Sequence, residues 1–134
     1  MKKRIAVIDG KGGGLGRSIC EVLSAKEAYE IIALGTNSSA TSNMIKGGAS
    51  DGATGENAIV VIANKVDIII GPISIISSNA MMGEITPKIA SAISGSDAEK
   101  VLLPLQRCSL NVVGVEEMTI KNMLKKLEET ISKL

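Results

Sequence analysis

The chain has 134 residues and a mass of 13.9 kDa, the size of one domain. It contains no His, Trp or Phe and a single Tyr (Tyr29), which excludes Ser-His-Asp and Cys-His catalysis within one chain, and any His-ligated zinc. Fifteen basic against 14 acidic residues give a net charge of +1 with no basic stripe, so no nucleic-acid partner is expected.

Taken in chain order, residues 4–8 (Arg-Ile-Ala-Val-Ile) read as a buried strand ended by Asp9-Gly10. A glycine-rich turn runs to Gly16, and the spacing of Leu15, Ile19, Val22 and Leu23 predicts a helix over 15–26. Residues 30–34 form a second strand, 35–39 a polar turn, and 40–46 a short helix stopped by Gly47-Gly48. Residues 49–55 read as a small-residue loop, with Thr54 placed to cap a helix over 56–65. Residues 67–70 are a third strand, continuous in Ile after Asp67 and therefore central, ended by Gly71-Pro72. Thr86-Pro87 supplies an N-cap and an N1 proline for a helix reaching Ser94. Residues 101–103 and 110–115 read as a fourth and a fifth strand. The link between them is too short for a helical crossover, which points to an antiparallel pair or an excursion at the sheet edge. Ile120, Met123, Leu124, Leu127, Ile131 and Leu134 line one face of a last helix.

Alternating apolar strands and helices predict an α/β chain: a single three-layer Rossmann-like domain over residues 1–134, with a mostly parallel five-stranded sheet. The apolar run after Met1–Arg4 is too short for a signal peptide. The stretch 68–82 is broken by Gly71, Pro72 and serines, so no membrane partner is expected. Two cysteines, Cys20 and Cys108, suit a reducing cytoplasm better than a disulfide framework.

The strongest local signal is Asp9-Gly10-Lys11-Gly12-Gly13-Gly14-Leu15-Gly16, between a strand and a helix. Glycines let backbone N–H groups approach an anion, and the helix start adds positive potential. Gly10, Gly14 and Gly16 fit the G-x-x-x-G-x-G spacing of short-chain dehydrogenase-like folds, whereas the Walker pattern fails by register. Lys11 is a candidate phosphate contact. Asp9 is either a holder of a ribose hydroxyl or of a metal-bound water, or a carboxylate accepting the loop's own N–H bonds. After the second strand, Thr36 and Asn37 stand where a NAD-binding fold carries an acid; they are candidates for a ribose or a base edge, or form an Asx-type turn. Thr54, Glu56 and Asn57 belong to a segment rich in turn residues that reads as a lid over the glycine loop, or as a connector and cap. Gly71 and Pro72 end the central strand near the same site. Glu84 is a candidate general base or a first-turn carboxylate of the following helix. Cys108, beside Arg107, is a candidate reactive thiol or a small apolar residue. Asp9, Glu84 and Cys108 are therefore the catalytic candidates, and no metal site is expected.

The segments 8–14, 33–37, 52–59 and 83–87, with Pro104 and Cys108, together resemble a small bacterial family described as Domain of Unknown Function 3842. The resemblance spans nearly the whole chain. It implies a single-domain bacterial protein and carries no activity with it.

The favoured function is a binding module for a nucleotide or phosphorylated metabolite, with a nucleotide or dinucleotide as the candidate cofactor. Two alternatives stand beside it. One is a small dinucleotide-dependent enzyme completed by dimerisation. The other is a structural or assembly protein that forms a homo-oligomer through its last helix.

Overall fold

Two aliphatic runs, Ile5–Ile8 and Ile31–Leu34, lie side by side in the middle of a parallel sheet. The computed structural model describes residues 2–105 and 109–134. Its elements are β1 (Lys3–Asp9), α1 (Gly14–Ser24), β2 (Tyr29–Gly35), α2 (Ser38–Lys46), β3 (Asp51–Thr54), α3 (Glu56–Ile62), β4 (Ile68–Pro72), a 3₁₀ turn (Ile73–Ile76), α4 (Pro87–Ser94), β5 (Glu99–Leu103) and α5 (Ile120–Ser132). The strand order is β3-β2-β1-β4-β5, and every pairing is parallel.

Successive side chains of a strand point to opposite faces, and the core divides accordingly. Ile5, Val7, Ile31, Ala33, Ile68 and Ile70 pack with Ile19 and Leu23 of α1, Met44 of α2, and Met123, Leu127 and Ile131 of α5. Ala6, Ile8, Ile32, Leu34 and Ile69 pack on the other face with Ile59 of α3, Ile89 and Ile93 of α4, Ile75 and Ile85. A sheet buried on both faces needs strands without polar positions, which is why β1, β2 and β4 read as continuous aliphatic runs. The result is the three-layer Rossmann-like architecture expected. The order reverses between β1 and β4, and their carboxyl ends flank the crevice where such sheets take ligands.

Two expected elements are corrected. The fifth strand is β3, inside the segment read as a loop, and residues 110–115 are not a strand. β3 is a four-residue edge strand, exposed or half-buried along its length, so Asp-Gly-Ala-Thr carries no apolar signal and is held by its ladder to β2. The apolar run 110–115 is interrupted by a turn in which Gly114 sits at φ 90 and the Val115 N–H donates to the Val112 carbonyl. No antiparallel pair forms among the described residues. Thr54 is also not the cap of α3; Gly55 takes that position. Thr86 caps α4 as expected, and the structure adds Asn37 and Thr119 as caps of α2 and α5, each side-chain oxygen accepting a first-turn N–H. Among the described residues no helix is long and apolar enough to cross a membrane.

Candidate functional site

The site is built outward from Asp9, the last residue of β1. Its side chain is fully buried. One carboxylate oxygen accepts the Gly10 N–H at 2.8 Å, and the other accepts the Gly16 N–H at 2.8 Å. Burial pushes its pKa up, the two N–H groups pull it back, and the Glu84 charge adds to the rise. Of the roles read for Asp9, the structure shows the loop-holding one: its carboxylate closes the turn across seven residues.

The glycines of the turn fall into two groups. Gly10, Gly13 and Gly16 have internal reasons. A Cβ at Gly10 would meet Thr36 Oγ1 at 2.6 Å, Met81 Sδ at 2.7 Å and Glu84 Oε1 at 3.0 Å. Gly13 has φ 72, and a Cβ there would meet the Ala40 backbone at 2.7 Å. Gly16 lies against Met44. Gly12 and Gly14 have no such reason. Neither has a left-handed φ, and a Cβ at either would find no atom within 4 Å. Both are exposed.

The amides divide similarly. Those of Gly10 and Gly16 go to Asp9, that of Lys11 to Glu84, and that of Gly13 to the Gly10 carbonyl at 2.9 Å. The amides of Gly12, Gly14 and Leu15 have no partner among the described residues. Gly14 and Leu15 open α1, so their N–H groups are at the positive end of the helix dipole. A cavity of about 400 Å³ opens against this turn, lined by Gly14, Leu15, Ser18, Leu105 and Ile120.

Glu84 reaches the site from the connection before α4. A single oxygen, Oε1, accepts the Lys11 N–H at 2.9 Å, the Thr36 hydroxyl at 2.6 Å and an Asn37 side-chain N–H at 2.9 Å. Burial opposes its ionisation, but the bonds from Thr36, Lys11 and Asn37, with the Lys11 charge, outweigh it and hold its carboxyl below the ordinary value. Glu84 therefore joins the ends of β1 and β2 and is not a first-turn carboxylate of α4. Its approach has an unusual backbone: Asn79, Met81 and Met82 have φ values of 68, 57 and 57, followed by Gly83 at 92. Met81 is buried against Gly10 and Met82 is almost fully exposed.

The structure thus brings together Asp9, Gly10, Lys11, Thr36, Asn37 and Glu84. Gly71 and Pro72 end β4 beside β1, where Gly71 lets the strand pass close to the Ile8 carbonyl. The expected lid is elsewhere. β2 separates β3 from β1, and Thr54, Glu56 and Asn57 make no hydrogen bond to the glycine turn among the described residues. Thr54 meets the Thr41 hydroxyl at 2.7 Å, and Glu56 accepts from the Thr86 hydroxyl at 2.5 Å, tying α3 to the cap of α4. Cys108 lies outside the described residues. Cys20 is buried in α1, and burial, with the charges of Asp9 and Glu21, pushes its thiol up to about 12. No cluster that could hold a metal occurs among the described residues. One contributor carried no sequence signal: Met81 shapes the floor of the turn. Ser74, just past β4, is buried and its hydroxyl has no partner among the described residues.

The chain belongs to the family described as Domain of unknown function (DUF3842), which it matches over residues 4–134. A comparison with curated proteins finds no match. Among solved structures the chain is similar to apo histidine-tagged saccharopine dehydrogenase (L-Glu forming) from Saccharomyces cerevisiae, with a TM-score of 0.52 and 11% identity. The likeness covers 93% of this chain and 24% of that one, so this chain spans about a quarter of the enzyme's length. At that identity the likeness shows a shared Rossmann-like fold.

Proposed function

We propose that this chain binds a nucleotide or another phosphorylated small molecule at the turn between β1 and α1. The observation that carries this reading is the pair Gly12 and Gly14, which neither backbone conformation nor packing requires to be glycine. A missing side chain at an exposed turn leaves room for close approach to the backbone. Three amides without a partner among the described residues sit there, two of them at a helix start, which is the donor arrangement that suits phosphate oxygens. The adjoining cavity is of a size that small ligands fill. Lys11, exposed in the same turn, adds a positive charge.

The enzyme reading has less support. Asp9 is enclosed by the amides it binds. Glu84, kept ionised by three donors, is a good hydrogen-bond acceptor and a weak base.

Thermal-shift and calorimetric titration of the wild type and Gly14→Val with nucleoside diphosphates and inorganic pyrophosphate tests the proposal. Ligand at 100 times its dissociation constant should stabilise the wild type by about 2.7 kcal/mol. Gly14→Val should remain folded, because its side chain enters open space, and should lose at least about tenfold in affinity. Unchanged affinity in the variant would remove the turn as the site.

A further inference from the structure

Resting on the site proposed above, we infer that Glu84 is its hydroxyl acceptor: the carboxylate receives the ribose diol of a bound nucleotide. Dinucleotide folds commonly place an acid at the end of the second strand for that purpose. Here that position reads Gly35-Thr36-Asn37 and holds no acid. A carboxylate nevertheless stands there, delivered from beyond β4. Thr36 and Asn37 hold Glu84 Oε1 at 2.6 and 2.9 Å, and the Lys11 N–H fixes the same oxygen from the glycine turn. The other oxygen, Oε2, accepts no hydrogen bond among the described residues.

Three features suit the role. The carboxylate is fixed by bonds to two separate loops, so it is preorganised. It is held ionised, which makes it a strong acceptor for hydroxyl donors and a repulsive neighbour for phosphate. Its approach uses left-handed backbone at Asn79, Met81 and Met82, a conformation that costs free energy in non-glycine residues and concentrates at ligand clamps.

The placement also divides the labour within the site. Lys11, whose amide binds Glu84, is three residues from Gly14, whose amide has no partner among the described residues. That length of chain spans at most about 11 Å. A ribose at Glu84 and a phosphate at the start of α1 are thus within the reach of one nucleotide, and the charges sort them: hydroxyls to the carboxylate, phosphate to the helix start.

Calorimetric titration of the wild type with ADP, GDP, their 2′-deoxy counterparts and inorganic pyrophosphate tests the assignment. At least one ribonucleotide should bind about tenfold more tightly than its deoxy form, the scale of one hydrogen bond to a charged group. In Glu84→Gln, which keeps the shape and an acceptor for the three donors, that preference should fall below about threefold. If pyrophosphate binds but ribo- and deoxy-forms bind alike, the phosphate site stands and the role of Glu84 is overturned. If neither nucleotides nor pyrophosphate bind, both readings fall. A ribose preference that survives intact in Glu84→Gln also overturns the assignment. Should that variant not fold, the wild-type ratio of ribo- to deoxy-affinity decides alone.

Discussion

Two carboxylates share the crevice, and their protonation works in opposite senses. Glu84 is more acidic in the fold than its ordinary value of 4.5, so its stabilising contribution is present above that value and is lost as pH falls through the lower, folded one. Asp9 is less acidic in the fold than its ordinary value of 3.8. Its charge is therefore a burden at neutral pH, relieved as pH falls through the folded value toward the unfolded one. The contribution of this pair to acid sensitivity is the difference between these slopes. Removing the Glu84 carboxyl removes its acid-labile contribution and leaves an Asp9 rise led by burial, reduced by the missing Glu84 charge, so Glu84→Gln should lose less stability than the wild type between about pH 6 and pH 3.5. Urea midpoints at the two pH values measure this, and an equal or larger acid loss in the variant would contradict it. The same pair marks what a sequence can and cannot show at this scale. The glycine run and Asp9 are contiguous, so the turn and its place between strand and helix are legible. The tie from Glu84 to Lys11, Thr36 and Asn37 joins residues 47 or more positions apart, and no local pattern encodes it.

At the scale of elements, legibility follows burial. β1, β2 and β4 are covered on both faces and announce themselves as aliphatic runs. β3 pairs along one edge with little buried side chain, so its four residues look like a loop. Apolar content misled in the opposite way at 110–115, where a glycine turn divides the run. Caps are local, yet only the cap of α4 was legible, since Gly55 and not Thr54 stands at the start of α3. Thr86-Pro87 marks the start of α4, and the structure adds a second use for the hydroxyl. Thr86 Oγ1 accepts the Ile89 N–H at 3.1 Å and donates to Glu56 at 2.5 Å. Thr86→Val keeps the shape and removes both bonds. The cap alone is worth about 1 kcal/mol, and the exposed bond to Glu56 adds less. Chemical denaturation should therefore show a loss of about 1–2 kcal/mol. A change within about 0.5 kcal/mol, the range of an ordinary surface substitution, would mean that the cap does not hold α4.

At the scale of the whole molecule, the helix that opens the proposed binding turn also carries a reporter of global opening. Cys20 sits on the inner face of α1 among Ile5, Val7 and Ile19, with no exposed surface. Burial leads the rise of its thiol to about 12, from an ordinary value of 9.0. Reaction with a disulfide reagent needs the thiolate, which the fold suppresses about a thousandfold. It also needs access, which a core packed on both sides of the sheet grants only when the layers separate. In a Cys108→Ser background, where Cys20 is the only thiol, labelling at about pH 8 should be at least about a thousandfold slower than in denaturant. Its rate should follow the population of opened molecules across a urea series. A ligand bound at Gly12–Leu15 favours the native state, so it should slow labelling by the factor through which it stabilises the fold, about a hundredfold at 100 times its dissociation constant. Rapid labelling without denaturant would show that α1 detaches from the sheet on its own, and a helix that mobile could not hold its amides in place for a phosphate.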